Sequence, residues 1–254
     1  MKETIVTLTK DLNILNLFLK SIPEEYHEQV IVGYDDNIRK IYGDYKCKFI
    51  NIDDFCDDFF FRFTTFKKCI LIKHLLEQGY RNFLFCDDDA IMIQPVDFAH
   101  TRVKPINHVD FSCSNTAKIF GFFEHRYEAA AFVLKLSEED VSIYMDMFND
   151  FVSKLKEYRH LFLAENKEED TEEDTEKRFH NFFSDTMFLN MFFDKITKVV
   201  DEKLVVNYCD LKLQMFTSYF ENYLKNNTLT CNILHFSGAP KRSFMELYYK
   251  VKNS

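Results

Sequence analysis

Phe83-Leu84-Phe85-Cys86-Asp87-Asp88-Asp89-Ala90-Ile91-Met92 sets three consecutive carboxylates between two apolar runs. Residues 81–86 read as a buried strand that leads directly into the acidic triplet. Neighbouring carboxylates repel one another, and the cost is relieved only by solvent or by a cation. At the carboxyl end of a parallel strand, where α/β folds place their ligands, a divalent ion is the natural reliever. Two carboxylates one residue apart can share an ion and leave positions open for phosphate oxygens. Mg²⁺ and Mn²⁺ both favour such oxygen sites. The alternative is a strand that ends in an acidic, solvated turn.

Upstream of this stretch, apolar spacing predicts a helix over 64–78. Thr64 or Thr65 caps it, Cys69, Ile70, Ile72, Leu75 and Leu76 lie along one side, and Gly79 stops it. Residues 4–8, 29–33 and 48–52 read as strands and 11–20 as a helix. Strands and helices that alternate in this way predict an α/β fold with a mixed, mostly parallel central sheet covered by helices. Downstream, 109–112, 130–136, 204–208 and 230–236 read as strands, and 138–158, 182–194 and 243–252 as helices. Residues 165–178 are polar throughout and read as a solvated loop or exposed helix end, or else as a loop that gates an acceptor or binds a partner. No repeat or linker divides the 254 residues, which implies a single domain.

Bulk properties exclude several classes. The net charge of −9 argues against a general nucleic-acid binder, since phosphate contacts need a surplus of Lys and Arg. The seven cysteines include no CxxC pair, so a structural zinc site is not expected. Their odd number and mostly apolar flanks fit reduced thiols and a cytoplasmic location. No signal peptide is visible, and no apolar run approaches the roughly 20 residues that span a bilayer. Five glycines leave no Gly-rich nucleotide loop.

A second stretch carries chemistry: Ile233-Leu234-His235-Phe236-Ser237-Gly238-Ala239-Pro240-Lys241-Arg242. A strand delivers a His, Gly and Pro turn the chain, and two cations follow. A neutral ring nitrogen of His235 can complete a metal site. Gly238 permits close backbone approach, and Lys241 can neutralise a diphosphate. Alternatively, His235 is a packed core residue and Lys241-Arg242 is solvated surface.

The segment 83–92 resembles the DxD motif of GT-A glycosyltransferases, and 235–241 resembles the His-x-x-Gly-x-x-Lys motif of glycosyltransferase family eight. Ser184-Asp185-Thr186-Met187-Phe188-Leu189-Asn190 is similar to that family's Asp-Gln-x-x-Leu-Asn segment, with Thr186 in place of Gln. Glu128-Ala129-Ala130 resembles its Asn-Ala-Gly strand, with Glu128 and Ala130 in place of Asn and Gly.

The resemblance implies that Asp87, Asp89 and His235 hold Mn²⁺ or Mg²⁺, and that Lys241 contacts the diphosphate of a nucleotide-sugar. Asp185 would lie at the acceptor side of the donor sugar, where a helix N-cap is the competing role. Asp88, Gly238, Thr7 and Thr9 of the first strand, Asp35 or Asp36 after the second, and Lys67 on the helix before the DxD strand are implied donor contacts.

The expected activity is transfer of a sugar from a nucleoside-diphosphate donor, most simply UDP-sugar, to an acceptor hydroxyl of a glycan, protein or lipid-linked molecule, with retention. Residues 1–100 would bind the nucleotide and 101–254 the acceptor. The competing readings are another Mg²⁺-dependent phosphate enzyme or a binding protein without turnover. An Asp-x-Asp-x-Thr phosphatase motif, however, would want Thr where Ile91 stands.

Overall fold

Apolar and β-branched residues run almost unbroken through Thr4–Leu8 (β1), Val30–Tyr34 (β2) and Asn82–Cys86 (β4). Strands of that kind can be buried on both faces, and parallel sheets need them. The computed structural model describes residues 3–35, 38, 45–56, 66–106, 126–165, 185–196, 198–207, 217–236 and 241–253. The sequence-predicted strand at 109–112, the caps Thr64 and Thr65, the polar run 166–178, and Asp36, Ser184 and Gly238 lie outside them.

Among the described residues the main sheet has seven strands in the order β3-β2-β1-β4-β7-β6-β8. The added strands are β3 (Lys48–Asn51), β6 (Arg102–Pro105), β7 (Tyr127–Lys135) and β8 (Val199–Val200). β1 pairs in parallel with β2 and β4, and β2 with β3. β7 runs antiparallel between β4 and β6, and β8 is parallel to β6. The expected mixed, mostly parallel sheet is therefore what forms. β6 and β8 were not read from the sequence, because four and two residues are too short to show a period.

Successive side chains of a strand face opposite ways, and the core divides accordingly. Val6, Phe83, Phe85 and Phe132 face one side, where Lys67–Glu77 (α2), Glu138–Glu165 (α3) and Asp185–Lys195 (α4) pack. Ile5, Leu84, Cys86 and Val133 face the other, covered by Leu12–Leu19 (α1), Thr217–Asn226 (α5) and Lys241–Lys252 (α6). Much of the Phe-rich composition goes into the first layer. Phe66 packs on Phe148, Phe151 and Phe188 with ring centroids 5.6, 5.4 and 5.9 Å away. α2 ends as its sequence predicts. Gly79 adopts φ +86°, and Gly79 N–H and Tyr80 N–H donate to the carbonyls of Leu76 and Leu75.

A second, three-stranded sheet positions the site. Ala90–Met92 (β5), immediately after the acidic triplet, pairs antiparallel with Ile233–His235 (β10), which runs parallel to Val205–Asn207 (β9). The register sets His235 opposite Ala90. Among the described residues, no helix is long and apolar enough to cross a membrane.

Candidate active site

Asp87 is the first residue beyond β4, and its N–H donates to the Ala130 carbonyl of β7 at 2.8 Å. Phe236 N–H donates to the Asp89 carbonyl at 3.0 Å. These two bonds and the β5–β10 pairing hold the acidic triplet and His235 against each other. His235 Nε2 lies 3.0 Å from Asp89 Oδ1 and 3.9 Å from Asp87 Oδ2.

One ligand atom from each of Asp87, Asp89 and His235 lies within 4.8 Å of the others. Two carboxylates and an imidazole form a donor set that a divalent metal ion can use. Asp89 Oδ1 is buried and accepts no hydrogen bond from the described residues, although His235 Nε2 is at hydrogen-bond distance. A buried carboxylate oxygen left in that condition is costly, and a shared cation would satisfy it. The residues present therefore fit a divalent ion.

The trio opens onto a cavity of about 450 Å³ also lined by Lys10, Lys68, Asp88, Glu128, Asp185 and Lys241. Lys241 Nζ donates to Asp89 Oδ2. Burial would raise the Asp89 carboxyl, but His235 and Lys241 outweigh it and hold it at about 2. Burial lowers the His235 imidazole, and Asp89 and Asp87 more than reverse this. Burial pushes Asp88 up, the Thr9 hydroxyl pulls it back, and Asp89 and Asp87 push it up again, leaving it at about 7. Thr9 Oγ1 donates to Asp88 Oδ2 at 2.6 Å, which ties the end of β1 to the triplet.

Lys68 was not singled out from the sequence. Its Nζ lies 2.8 Å from Asp87 Oδ1 and 2.9 Å from Asp185 Oδ2, donates to the Ala129 carbonyl at 2.9 Å, and sits 5.1 Å from the Phe85 ring centroid. Burial disfavours its charge, but Asp185 and Asp87 reverse that and raise it above the usual lysine range. Its neighbour Lys67, the expected donor contact, points elsewhere. It forms buried ion pairs with Asp35 at 3.2 Å and Asp53 at 2.9 Å. Residues adjacent on a helix are rotated by about 100°, so only one of the pair can face the cavity. Asp35 and Thr7 are buried and, like Lys67, stand outside the cavity wall.

Asp185 is the first residue of α4. Its Oδ1 accepts from Thr186 N–H at 2.8 Å and its Oδ2 faces Lys68, so the local backbone role and the cavity role coexist. Asn190 fixes α4 in place. Its Oδ1 accepts from Arg126 N–H and Tyr127 N–H at 2.8 and 2.7 Å, and its Nδ2 donates to the carbonyls of Tyr127 and Thr186 at 2.9 Å each. Asn190→Ala removes the acceptor of two N–H groups and is expected to cost about 2–4 kcal/mol. Urea unfolding checks this, and a loss below about 1 kcal/mol would contradict it.

No family model matches the chain, and no curated protein matches it. Among solved structures it is similar to the bifunctional glycosyltransferase WbbM, at 12% identity and a TM-score of 0.50, over 98% of this chain and 51% of that one. It thus spans about half the length of WbbM. It is also similar to mouse xyloside xylosyltransferase 1 (9% identity, TM-score 0.49, 93% of this chain and 98% of that one). A third is the galactosyltransferase LgtC in complex with donor and acceptor sugar analogues (13% identity, TM-score 0.46, 98% and 96%). The chain has the GT-A fold. In this GT-A sheet the candidate site stands at the carboxyl ends of β1 and β4. At such low identity the likeness concerns the fold, and the chemistry has to be argued from the side chains.

Proposed function

We propose that this chain is a metal-dependent glycosyltransferase that moves a sugar from a nucleoside-diphosphate sugar, UDP-sugar by its resemblance to family eight, to an acceptor hydroxyl. The observation that carries the proposal is the meeting of Asp87, Asp89, His235 and Lys241 at one cavity, although the last two are far from the others in sequence.

Asp87, Asp89 and His235 would hold Mn²⁺ or Mg²⁺. When bound, the ion supplies positive charge against the diphosphate. Breaking the anomeric bond sends negative charge onto the leaving diphosphate and leaves an oxocarbenium-like sugar. Lys241 stabilises the growing charge once its ammonium exchanges Asp89 for the diphosphate, and a contact that strengthens on the way to the transition state lowers the barrier. Asp185, held by Lys68 and Thr186 N–H, faces the same cavity and stabilises the cationic sugar or orients the acceptor. Retention follows the family resemblance. The first hundred residues bind the nucleotide and the remainder the acceptor. The free cysteines Cys47, Cys69 and Cys86 support a reducing, cytoplasmic setting.

A thermal-shift panel of UDP-, GDP- and dTDP-sugars, with and without Mn²⁺, tests the proposal. Ligand at about 100 times its Kd is expected to add roughly 2.7 kcal/mol of apparent stability. The gain should appear with a UDP-sugar and Mn²⁺ together and vanish on chelation. No stabilisation by any nucleotide-sugar would overturn the reading.

A further inference from the structure

Three lysines line the cavity, and two of them are committed to carboxylates. Lys68 holds Asp87 and Asp185, and Lys241 holds Asp89. Lys10 is different. It follows Thr9 beyond the carboxyl end of β1, lines the cavity, stays exposed, and forms no ion pair with any described residue.

Burial lowers its ammonium, with the Lys67 charge adding to this, and the field of Asp35, Asp88 and Asp185 only partly opposes them. Each of those carboxylates already has a nearer partner: Lys67 for Asp35, the Thr9 hydroxyl for Asp88, and Lys68 for Asp185. The 2.6 Å bond from Thr9 to Asp88 also anchors the backbone just before Lys10 against the acidic triplet. Lys10 is thus a cavity cation with no counter-ion of its own among the described residues, tethered beside the candidate metal ligands. Such a group is matched to a mobile anion, because engaging one breaks no existing pair.

We propose that Lys10 is a binding residue for the diphosphate of the donor, and the first lysine to engage it. Lys68 already has three acceptors in Asp87, Asp185 and the Ala129 carbonyl, and Lys241 already donates to Asp89. The inference rests on the donor reading above but reaches further, since it assigns the first phosphate contact to a residue outside every motif matched in the sequence.

The test is calorimetric binding of inorganic pyrophosphate, UDP and uridine, each with Mg²⁺, to the full chain and to Lys10→Met and Lys10→Arg. Lys10→Met is expected to weaken pyrophosphate and UDP each about tenfold, as loss of one partly exposed charge-assisted contact does. Uridine should change by less than about twofold, and Lys10→Arg should restore both phosphate ligands to within about threefold. Equal affinity of Lys10→Met and the unaltered protein for pyrophosphate would overturn the assignment. So would failure of the unaltered protein to bind pyrophosphate, or an equal loss for uridine and UDP. The donor reading fails separately: UDP binding no tighter than pyrophosphate to the unaltered protein would remove the nucleotide, while a loss of pyrophosphate affinity in Lys10→Met would still place a phosphate on Lys10.

Discussion

Asp89→Ala is expected to lower nucleotide-sugar turnover by roughly a thousandfold or more, since a metal-centred charge contribution of several kcal/mol corresponds to three or more decades in rate. Asp89 is the hub of the site. It is 3% exposed, faces His235 through one carboxylate oxygen and accepts from Lys241 through the other. Alanine removes a ligand of the proposed ion and leaves an imidazole and an ammonium close together with no carboxylate between them. The metal-dependent rise in melting temperature should disappear along with turnover. Asp89→Asn, which keeps the shape but not the charge, should recover little of either. Turnover unchanged in the alanine variant would take Asp89 out of the mechanism.

The largest effect on stability is expected at Lys68. Lys68→Met keeps much of the side-chain volume but leaves Asp87 and Asp185 without the cation that bridges them. Removing one partner of a buried ion pair costs about 3–5 kcal/mol, because the other charge stays buried and uncompensated. Two carboxylates share this lysine, so the upper part of that range is expected in urea unfolding. Lys68→Met combined with Asp185→Asn should recover part of the loss, since one of the stranded charges is then gone. A cost below about 1 kcal/mol for Lys68→Met would mean that solvent reaches these carboxylates freely.

The legible parts of this molecule were those with a repeating physical signal. β1, β2 and β4 announced themselves through continuous apolar runs, and α2 through its spacing and Gly79. The acidic triplet was visible because like charges side by side after a buried strand need an explanation. The stretch 233–242 marked His235 and Lys241 as candidates, but only the resemblance joined them to the acidic triplet, since nothing local to those residues says that β10 will pair with β5. That pairing is made by three-residue strands, too short for periodicity to register. α5 did carry a helical signal in Phe220, Tyr223 and Leu224, but its mixed aromatic and polar character obscured it.

Lys68 shows a different limit. Lys67 and Lys68 are adjacent, chemically identical, and both buried. Which of them faces the acidic triplet depends on the rotation of α2 about its axis, and that is fixed by the packing of Cys69, Leu71 and Ile72 in the core. Composition and spacing locate a basic helix start, and only the packed helix chooses between the two. Asn190 illustrates the same point. In sequence it is half of a Leu-Asn pair at the acceptor side of a motif, whereas in the fold its amide pins α4 to the start of β7 and so sets where Asp185 stands.

Crystals grown with Mn²⁺ and measured for anomalous scattering bear most directly on the whole account. It predicts one strong peak bonded to carboxylate oxygens of Asp87 and Asp89 and to Nε2 of His235, with Lys241 displaced from Asp89. A peak held by other residues while this trio stays bare, or no peak at saturating Mn²⁺, would contradict it.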